Sequence, residues 1–359
     1  MNYYYAYEKL PVTGEYYFVG ENTGDGFTGG YGSIFDEGKL DRLYIIKGAA
    51  GTGKSTFMRT LADACEQKGH SVVRYLCGSD PDSLDSVLID GRVAVADGTA
   101  PHVLEMKYPG AASELIDVTN FWDKRGLMRE RDSITRLSEE KSRRFDNAYK
   151  SLKAIDMLKL NTQRDISNTF DYAKAEAFIS RMIKGLGKPD GGNRVKRNIY
   201  AVSMKGNVRL SSFETEAETV LRVADHFGGA MIFMRLLSEK LSAAGFGTAV
   251  SNDPIGGGIR DILLPSKSIL ITVNDDPAPT KSINIKRFID KDRLVPVKGN
   301  IRLALKCREL FEDDICAELK AAGESHFGLE KIYGRYMDFD SLSEYTELKK
   351  NEIFAYLSK

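Results

Sequence analysis

A glycine-rich octapeptide that ends in lysine and serine is the segment whose residue types most clearly predict chemistry. It reads Gly48-Ala49-Ala50-Gly51-Thr52-Gly53-Lys54-Ser55, with Thr56 directly after it. Glycines let a backbone wrap around an anion, so that successive N–H groups point inward at it. Lys54 is expected to reach the β- and γ-phosphates of a nucleotide, Ser55 to ligate Mg²⁺, and Thr56 to lie near the α-phosphate. The spacing therefore predicts a P-loop that binds a nucleoside triphosphate with Mg²⁺.

A second Mg²⁺ anchor is predicted at Asp97, which ends a run of small or β-branched residues at 93–96. A carboxylate at the end of a strand beside a P-loop holds the metal directly or through water. The alternative is an ordinary turn residue. Gly98 follows in place of the glutamate that is the base of many motor-type ATPases, which favours kinase-like chemistry or a base from elsewhere. His102 is a candidate sensor of the γ-phosphate or a packed loop residue.

Three further acids are candidates for activating a nucleophile. Residues 77–85 predict a loop at the carboxyl end of a strand, which is the ligand side of an open α/β sheet. Asp80, Asp82 and Asp85 lie in this loop, each as a possible general base or water-orienting group. The alternatives are a turn at Asp80 and a helix N-cap at Asp82 or Ser83. The catalytic candidates are Lys54, Asp97, Asp80 and Asp85.

Two elements must hold the P-loop in place. Residues 43–46 form an apolar run typical of a buried parallel strand. After the P-loop, five apolar residues fall on one face of a helix that Gly69 ends. They are Phe57, Met58, Leu61, Ala62 and Cys65. Residues 72–76 predict another strand, so the order of elements predicts an α/β sheet.

Three flanking segments have two interpretations each. The charged segment 124–159 is helical in pattern, and its arginines either close over the phosphates as a lid or form a solvated face, which is favoured. These arginines are Arg125, Arg129, Arg131, Arg136, Arg143 and Arg144. Residues 22–27 either close over the nucleotide or form a turn. The N-terminal tyrosines either pack the base or form an extra strand, which their β-propensity favours. They are Tyr3, Tyr4, Tyr5, Tyr7, Tyr16 and Tyr17.

The chain also matches itself at an offset of 176 residues, a sign of tandem duplication. Phe57-Met58-Arg59 falls on Phe233-Met234-Arg235, Leu61 on Leu237, Gly53 on Gly229, Gly69 on Gly245 and Asp85 on Asp261. The strand before the P-loop falls on residues 220–223, and the strand at 93 falls on 269–271. After small slips, Phe121-Trp122-Asp123-Lys124 pairs with Phe288-Ile289-Asp290-Lys291, and Phe170-Asp171 with Phe339-Asp340.

The second copy is predicted to have lost its chemistry. Gly48, Gly51, Lys54 and Ser55 are replaced by Ala224, Phe227, Ala230 and Met231. Without the lysine, and with a phenylalanine in the loop, neither charge nor room remains for phosphates. Val273 stands where Asp97 does, although a slip brings in Asp275 or Asp276. We expect an active domain at 1–187, a degenerate one at 193–359, and one nucleotide per chain.

Composition limits the remaining classes. The 359 residues contain 51 Lys plus Arg and 51 Asp plus Glu, so the basic excess of a nucleic-acid binder is absent and no nucleic-acid partner is expected. The four cysteines are widely spaced, which indicates neither a zinc cluster nor a disulfide framework. No stretch is apolar enough for a membrane span, and the first residues do not resemble a signal peptide. We expect a cytoplasmic protein without a membrane partner.

Several segments together resemble an uncharacterised bacterial family of tandem P-loop ATPases. They are residues 22–27, the P-loop, Asp97-Gly98-Thr99-Ala100-Pro101-His102 and Lys107-Tyr108-Pro109-Gly110-Ala111. The resemblance covers the whole chain and implies ATP binding and hydrolysis in the cytoplasm. In that family the second copy can keep its own P-loop, whereas here it is eroded.

The expected fold is α/β, with tandem P-loop NTPase-type domains, each a mostly parallel sheet flanked by helices with a helical extension. The expected activity is Mg²⁺-dependent ATP hydrolysis in the first domain. The alternatives are a small-molecule or nucleotide kinase that uses the same site, with an unknown small-molecule or protein acceptor, and a non-catalytic switch controlled by nucleotide.

Overall fold

The chain forms two six-stranded sheets flanked by helices. The computed structural model describes residues 4–7, 14–101, 104–274 and 282–358. The first half contains β1 (Tyr5–Ala6), β2 (Glu15–Phe18), β3 (Gly20–Thr23), β4 (Gly26–Gly29), α1 (Tyr31–Ile34), β5 (Arg42–Lys47), α2 (Lys54–Gln67), β6 (Val72–Leu76), β7 (Leu84–Ile89), β8 (Val93–Asp97), β9 (Ser113–Asp117), α3 (Lys124–Arg129), α4 (Arg131–Thr169) and α5 (Tyr172–Gly185).

The second half repeats this order. It contains β10 (Arg194–Lys196), β11 (Tyr200–Ser203), β12 (Gly206–Arg209), α6 (Ser212–Thr215), β13 (Thr219–Ala224), α7 (Gly229–Ala243), β14 (Thr248–Asn252), β15 (Ile259–Leu264), β16 (Ile269–Asn274), β17 (Ser282–Asn284), α8 (Lys291–Leu294), α9 (Lys298–Arg335) and α10 (Phe339–Leu357). Short 3₁₀ turns lie at Val118–Phe121, Pro265–Lys267 and Ile285–Phe288.

Strand order confirms that the α/β unit is duplicated. The first sheet has the order β2-β6-β7-β8-β5-β9 and the second β10-β14-β15-β16-β13-β17. In each sheet the third strand, β7 or β15, runs antiparallel to both neighbours, and the other pairings are parallel. The same position, direction and neighbours recur for all six strands, so the two sheets are copies of one topology.

Burial explains the elements around the P-loop. All five residues of β8 are buried, and β5 is buried from Leu43 to Ile46, as expected for strands covered on both faces. The buried residues of α2 are the five that the sequence pattern predicts, and Gly69 follows the helix with φ +86°. The predicted strands at 43–46, 72–76 and 93–97 and the predicted helix are confirmed.

The helices α5 and α10, which follow the long helices α4 and α9, are exchanged: each packs against the sheet of the other repeat. α10 packs into the core of the first sheet through Leu342, Ile353 and Phe354, together with Tyr44 of β5. Conversely, α5 packs into the core of the second sheet, where Phe178 contacts Phe233 of α7 with ring centroids 6.2 Å apart. The ranges 1–187 and 193–359 are therefore sequence repeats that do not each enclose a separate core.

Four backbone hydrogen bonds fix this exchange, in two equivalent pairs. The N–H of Asp123 donates to Tyr336 and that of Asp290 to Thr169, both at 2.8 Å. The second pair joins the N–H of Asp338 to Phe121 and the N–H of Asp171 to Phe288. Asp171 and Asp338 also cap α5 and α10 in the same way, each accepting from the backbone N–H three residues later. The predicted match of Phe170-Asp171 with Phe339-Asp340 is therefore wrong, since Met337-Asp338 is the equivalent pair.

The long helices α4 and α9 pack antiparallel along each other. Arg144 of α4 bonds Glu318 of α9, and further along α4 Ser151 bonds Asp314 at 2.6 Å. Between β2 and β5 the chain forms the hairpin β3–β4, and the hairpin β11–β12 occupies the equivalent place in the second repeat. None of the helices in the described ranges is long and apolar enough to span a membrane.

Candidate functional site

The P-loop connects the end of β5 to the start of α2. Gly51 and Gly53 have φ of +70° and +84°, a left-handed conformation that favours glycine. Gly53 is the N-cap of α2 and provides no side-chain acceptor. The first N–H groups of the helix, which lie at the end of the loop, therefore have no side-chain cap. This end of a 14-residue helix carries the partial positive charge that an anion site requires.

The side chains of Lys54 and Asp97 approach each other beside this loop. The Lys54 Nζ donates to the Ala49 carbonyl at 2.6 Å and lies 3.5 Å from the Asp97 Oδ2. Parallel pairing of β5 with β8 places Asp97 beside Ile46 and explains the approach. Asp97 ends β8 as predicted, and its Oδ1 accepts from the Thr99 N–H at 2.7 Å.

Thr99 attaches the Asp97 segment to the P-loop. Its hydroxyl donates to the Gly48 carbonyl at 2.8 Å and accepts from the Gly48 N–H at 3.3 Å. No sequence motif indicated a role for this side chain. A threonine two residues after the strand acid is a signal for such a link, because a short polar side chain there bonds neighbouring backbone.

One cavity of about 850 Å³ brings most of the predicted site residues together. Its lining includes Ala50, Gly51, Thr52, Gly53, Lys54, Ser55 and Thr56 of the P-loop segment, and the acids Asp80, Asp82, Asp85 and Asp97. Gly48 and Ala49 lie outside the lining, although the Ala49 carbonyl holds Lys54. His102, Asp275 and Asp276 are outside the described residues.

The residues present fit a magnesium–phosphate site. Ser55 and Asp97 line the same cavity, and Mg²⁺ typically takes one or two protein carboxylates while phosphates and water supply its other oxygens. Within the described residues no group of three or more His, Cys, Asp or Glu side chains forms a metal site, so oxygens from a bound phosphate would be needed. The Ser55 hydroxyl accepts from the Leu84 N–H at 2.9 Å, which fixes its direction.

The loop after β6 is held by the second repeat. Lys205, at the tip of the β11–β12 hairpin, lies 2.8 Å from Asp80 and also bonds Asp82. Although burial opposes it, the hydrogen bonds that the Lys205 ammonium donates to Asp80 and Asp82 raise the pKa of Lys205 above its usual value. Asp80 additionally accepts from the Ser83 hydroxyl at 2.8 Å. Asp80 lies at the predicted turn, whereas Asp82 leads into strand β7, so the helix N-cap predicted there is wrong.

Asp85 belongs to β7 and not to a loop, which corrects the predicted range 77–85. Its Oδ2 accepts from the Tyr31 hydroxyl at 2.8 Å, and the residue is 3% exposed. Burial, and then the charge of Asp85, raise the pKa of Tyr31 far above its usual range, so that its hydroxyl stays a donor. The sequence pattern did not indicate this strand because Asp85 and Ser86 interrupt its apolar run.

Neither of the two segments that could act as lids lines the cavity with the residues proposed for that role. Residues 22–27 form the tip of hairpin β3–β4, where Gly24 packs against the backbone of Lys153 and does not line the cavity. The six arginines of the lid alternative are also absent from the lining, and Arg144 pairs with Glu140 and Glu318. The solvated-face interpretation is the better one. Tyr16 and Tyr17 lie in β2, which confirms strand packing for them, and Tyr3 is outside the described residues.

The sequence motifs did not indicate the residues of α4, α9 and the β11–β12 hairpin that line the cavity. α4 contributes a row of side chains, namely Ser138, Lys141, Ser142, Phe145, Asp146 and Tyr149. α9 contributes His326 and Glu330, and the β11–β12 tip contributes Met204. A signal existed for Lys141, because it lies one helical turn before Phe145, on the face predicted to be apolar.

The equivalent loop of the second repeat is shorter and contains its own carboxylate, Asp225. Residues 48–53 connect β5 to α2, whereas only 225–228 connect β13 to α7. The Asp225 carboxylate accepts from the N–H groups of Gly228 and Ala230 at 2.8 and 2.7 Å. Met231, where the first copy has Ser55, borders a smaller cavity of about 460 Å³. An internal carboxylate thus uses the N–H groups that a phosphate would need.

Comparison with known proteins places the chain in no family: no family model, curated protein or solved structure matches it significantly.

Proposed function

We propose that the first repeat binds ATP with Mg²⁺ and hydrolyses it. The observation that carries this proposal is the single cavity in which Lys54, Ser55 and Asp97 meet at the start of α2. A lysine, a hydroxyl and a strand-end carboxylate at a helix N-terminus are the groups that phosphoryl transfer requires. The self-filled loop of the second repeat supports one nucleotide per chain.

Each of these residues has a separate task in the proposal. Lys54 exchanges the Ala49 carbonyl for β- and γ-phosphate oxygens, while backbone N–H groups of residues 50–55 surround the phosphates. Ser55 and Asp97 would hold Mg²⁺, which neutralises charge on the phosphates. Asp80 and Asp85 are the candidates for orienting water, because Ser83 and Tyr31 fix the directions of their carboxylates.

Phosphate release tests the proposal. Lys54→Ala should lower ATP turnover by about 100-fold or more, because it removes a charge that stabilises the transition state. Asp97→Asn should raise the Mg²⁺ concentration needed for half-maximal rate. Lys39→Ala, which removes a lysine whose side chain is 72% exposed, is the matched control and should leave the rate unchanged. Turnover that persists in Lys54→Ala would overturn the proposal.

A nucleotide-controlled switch is the second candidate, because α9 of the second repeat touches the P-loop directly. A Cβ on Gly51 would come within 2.6 Å of the Glu330 carbonyl oxygen. Changes in the loop on binding are therefore transmitted to α9. A switch would bind ATP without Lys54-dependent release of phosphate, and a kinase would release little until its acceptor is added.

A further inference from the structure

We propose that Lys141, on the long helix α4, contacts the terminal phosphoryl group of the bound triphosphate and so lets the site distinguish ATP from ADP. The inference rests on the proposed function and assigns a part of the same site that sequence motifs do not reveal.

The position of Lys141 is the first observation. Ser138, Lys141, Phe145 and Tyr149 are spaced by three or four residues, so they share the face of α4 that borders the cavity. Lys54, at the start of α2, lines the same cavity. The cavity therefore offers a bound ligand two lysines, one from each helix.

The lack of an internal partner is the second observation. Lys141 makes no hydrogen bond or ion pair with any of the residues that the structure describes. Two of the acids that line the cavity already have cations, since Asp97 pairs with Lys54 and Asp80 with Lys205. A half-buried ammonium without a carboxylate is costly, and an anion that enters from outside removes this cost.

The electrostatics agree with this geometry. Burial lowers the pKa of Lys141 below its usual value; the nearby Cys77 opposes this shift, and the Lys54 ammonium adds to it. Two ammonium groups that repel each other across a cavity attract a polyanion placed between them. Lys54 is expected at the β- and γ-phosphates, so the position nearer to α4 is that of the γ-phosphate. ADP lacks this group and would leave Lys141 without a contact.

The test is a comparison of two affinities in the full chain. Titration calorimetry with Mg²⁺ would measure ADP and the non-hydrolysable analogue AMP-PNP binding to wild type, Lys141→Ala, Lys141→Arg and Lys150→Ala. Lys150 is an exposed lysine on the same helix, outside the cavity, and is the matched control. We expect Lys141→Ala to weaken AMP-PNP binding by about tenfold or more, the effect of one charged hydrogen bond, with ADP binding changed less than about twofold. Lys141→Arg should restore most of the difference.

A purely structural role for Lys141 would weaken both ligands equally, and this outcome would overturn the inference while leaving the proposed function intact. Wild-type protein that binds neither ligand would overturn the proposed function, and the inference with it. Unchanged ADP affinity in Lys141→Ala also shows that the variant is folded.

Discussion

At the residue scale, Asp225 shows how a side chain of the same chain can satisfy the N–H groups at the start of a helix. As in any helix, the first N–H groups of α7 have no acceptor within the helix and need one from outside it. The Asp225 carboxylate supplies it from within the chain, at the Gly228 and Ala230 N–H groups. In the first repeat the connection from β5 to α2, residues 48–53, contains no aspartate.

Replacing this carboxylate should therefore cost stability. Asp225→Ala is expected to lower the free energy of unfolding by about 1–2 kcal/mol, the usual effect of losing such an acceptor. Denaturant unfolding followed by circular dichroism measures it. Glu239→Ala, which breaks an exposed pair with Arg235 on the same helix, should cost less than about 0.5 kcal/mol. Equal losses in the two variants would contradict the role given to Asp225.

Side chains were predictable where local spacing fixes them and unpredictable where tertiary contacts do. The motif indicates Lys54 and Ser55, and a strand-end acid indicates Asp97, because chain neighbours determine all three positions. Lys141 and Lys205 reach the site from elements remote in sequence, and no local pattern indicates where the ends of long side chains will lie.

At the element scale, the two hairpins have equivalent folds and different contacts. In each tip a hydroxyl, Thr23 or Ser203, donates to a glycine carbonyl three residues later. Asp25 in the first hairpin corresponds to Lys205 in the second. Asp25 pairs with Lys153 at an exposed position, whereas Lys205 pairs with Asp80, whose side chain is 7% exposed. The second hairpin therefore contacts, through Lys205, two acids that line the cavity of the first repeat.

Removing the Lys205 charge should expose this difference. Lys205→Ala is expected to lower the free energy of unfolding by about 1–3 kcal/mol, since it leaves the buried Asp80 without its cation. Asp25→Ala, at the equivalent tip, should cost less than about 1 kcal/mol because its pair is exposed. Thermal and denaturant unfolding of both variants would decide. If Asp80→Asn does not reduce the effect of Lys205→Ala in a double-mutant cycle, the pair does not couple the repeats.

Element types followed from the sequence where periodicity was strong. Residues 43–46 and 93–96 are apolar runs typical of buried strands, and α2 has a clear apolar face. β7 escaped prediction because Asp85 and Ser86 interrupt its apolar pattern, and both are buried by partners that only the folded chain brings near.

At the scale of the whole molecule, the exchange of α5 and α10 makes the repeats dependent on each other. The offset in sequence predicted two copies, and the strand order confirmed them. It gave no sign of the exchange, because the repeat pattern is the same whether α10 covers its own sheet or that of the first repeat. Hydrogen bonds such as that from Asp338 to Phe121 decide between the two arrangements.

Separate halves should consequently fail to fold. Residues 1–187 alone would lack α10 over the first sheet, and residues 193–359 alone would lack α5 over the second. Each half is expected to unfold without cooperativity, and co-expression should recover a one-to-one complex, measured by circular dichroism and size-exclusion chromatography. The control is the intact chain cut by a protease site inserted at 188–192, which should stay folded. A half that unfolds cooperatively as a monomer would disprove this dependence.

The exchange also bears on how two such different loops came to share one molecule. A chain of a single repeat would have a sheet without its covering helix and a helix without its sheet, and pairing with an identical chain solves both problems. Such a symmetric dimer carries two identical loops, and every substitution appears in both. Covalent fusion ends this constraint: one loop can acquire Asp225 while the other keeps Lys54. In the joined chain the two repeats can therefore carry different loop residues, which is impossible in a symmetric dimer of identical chains.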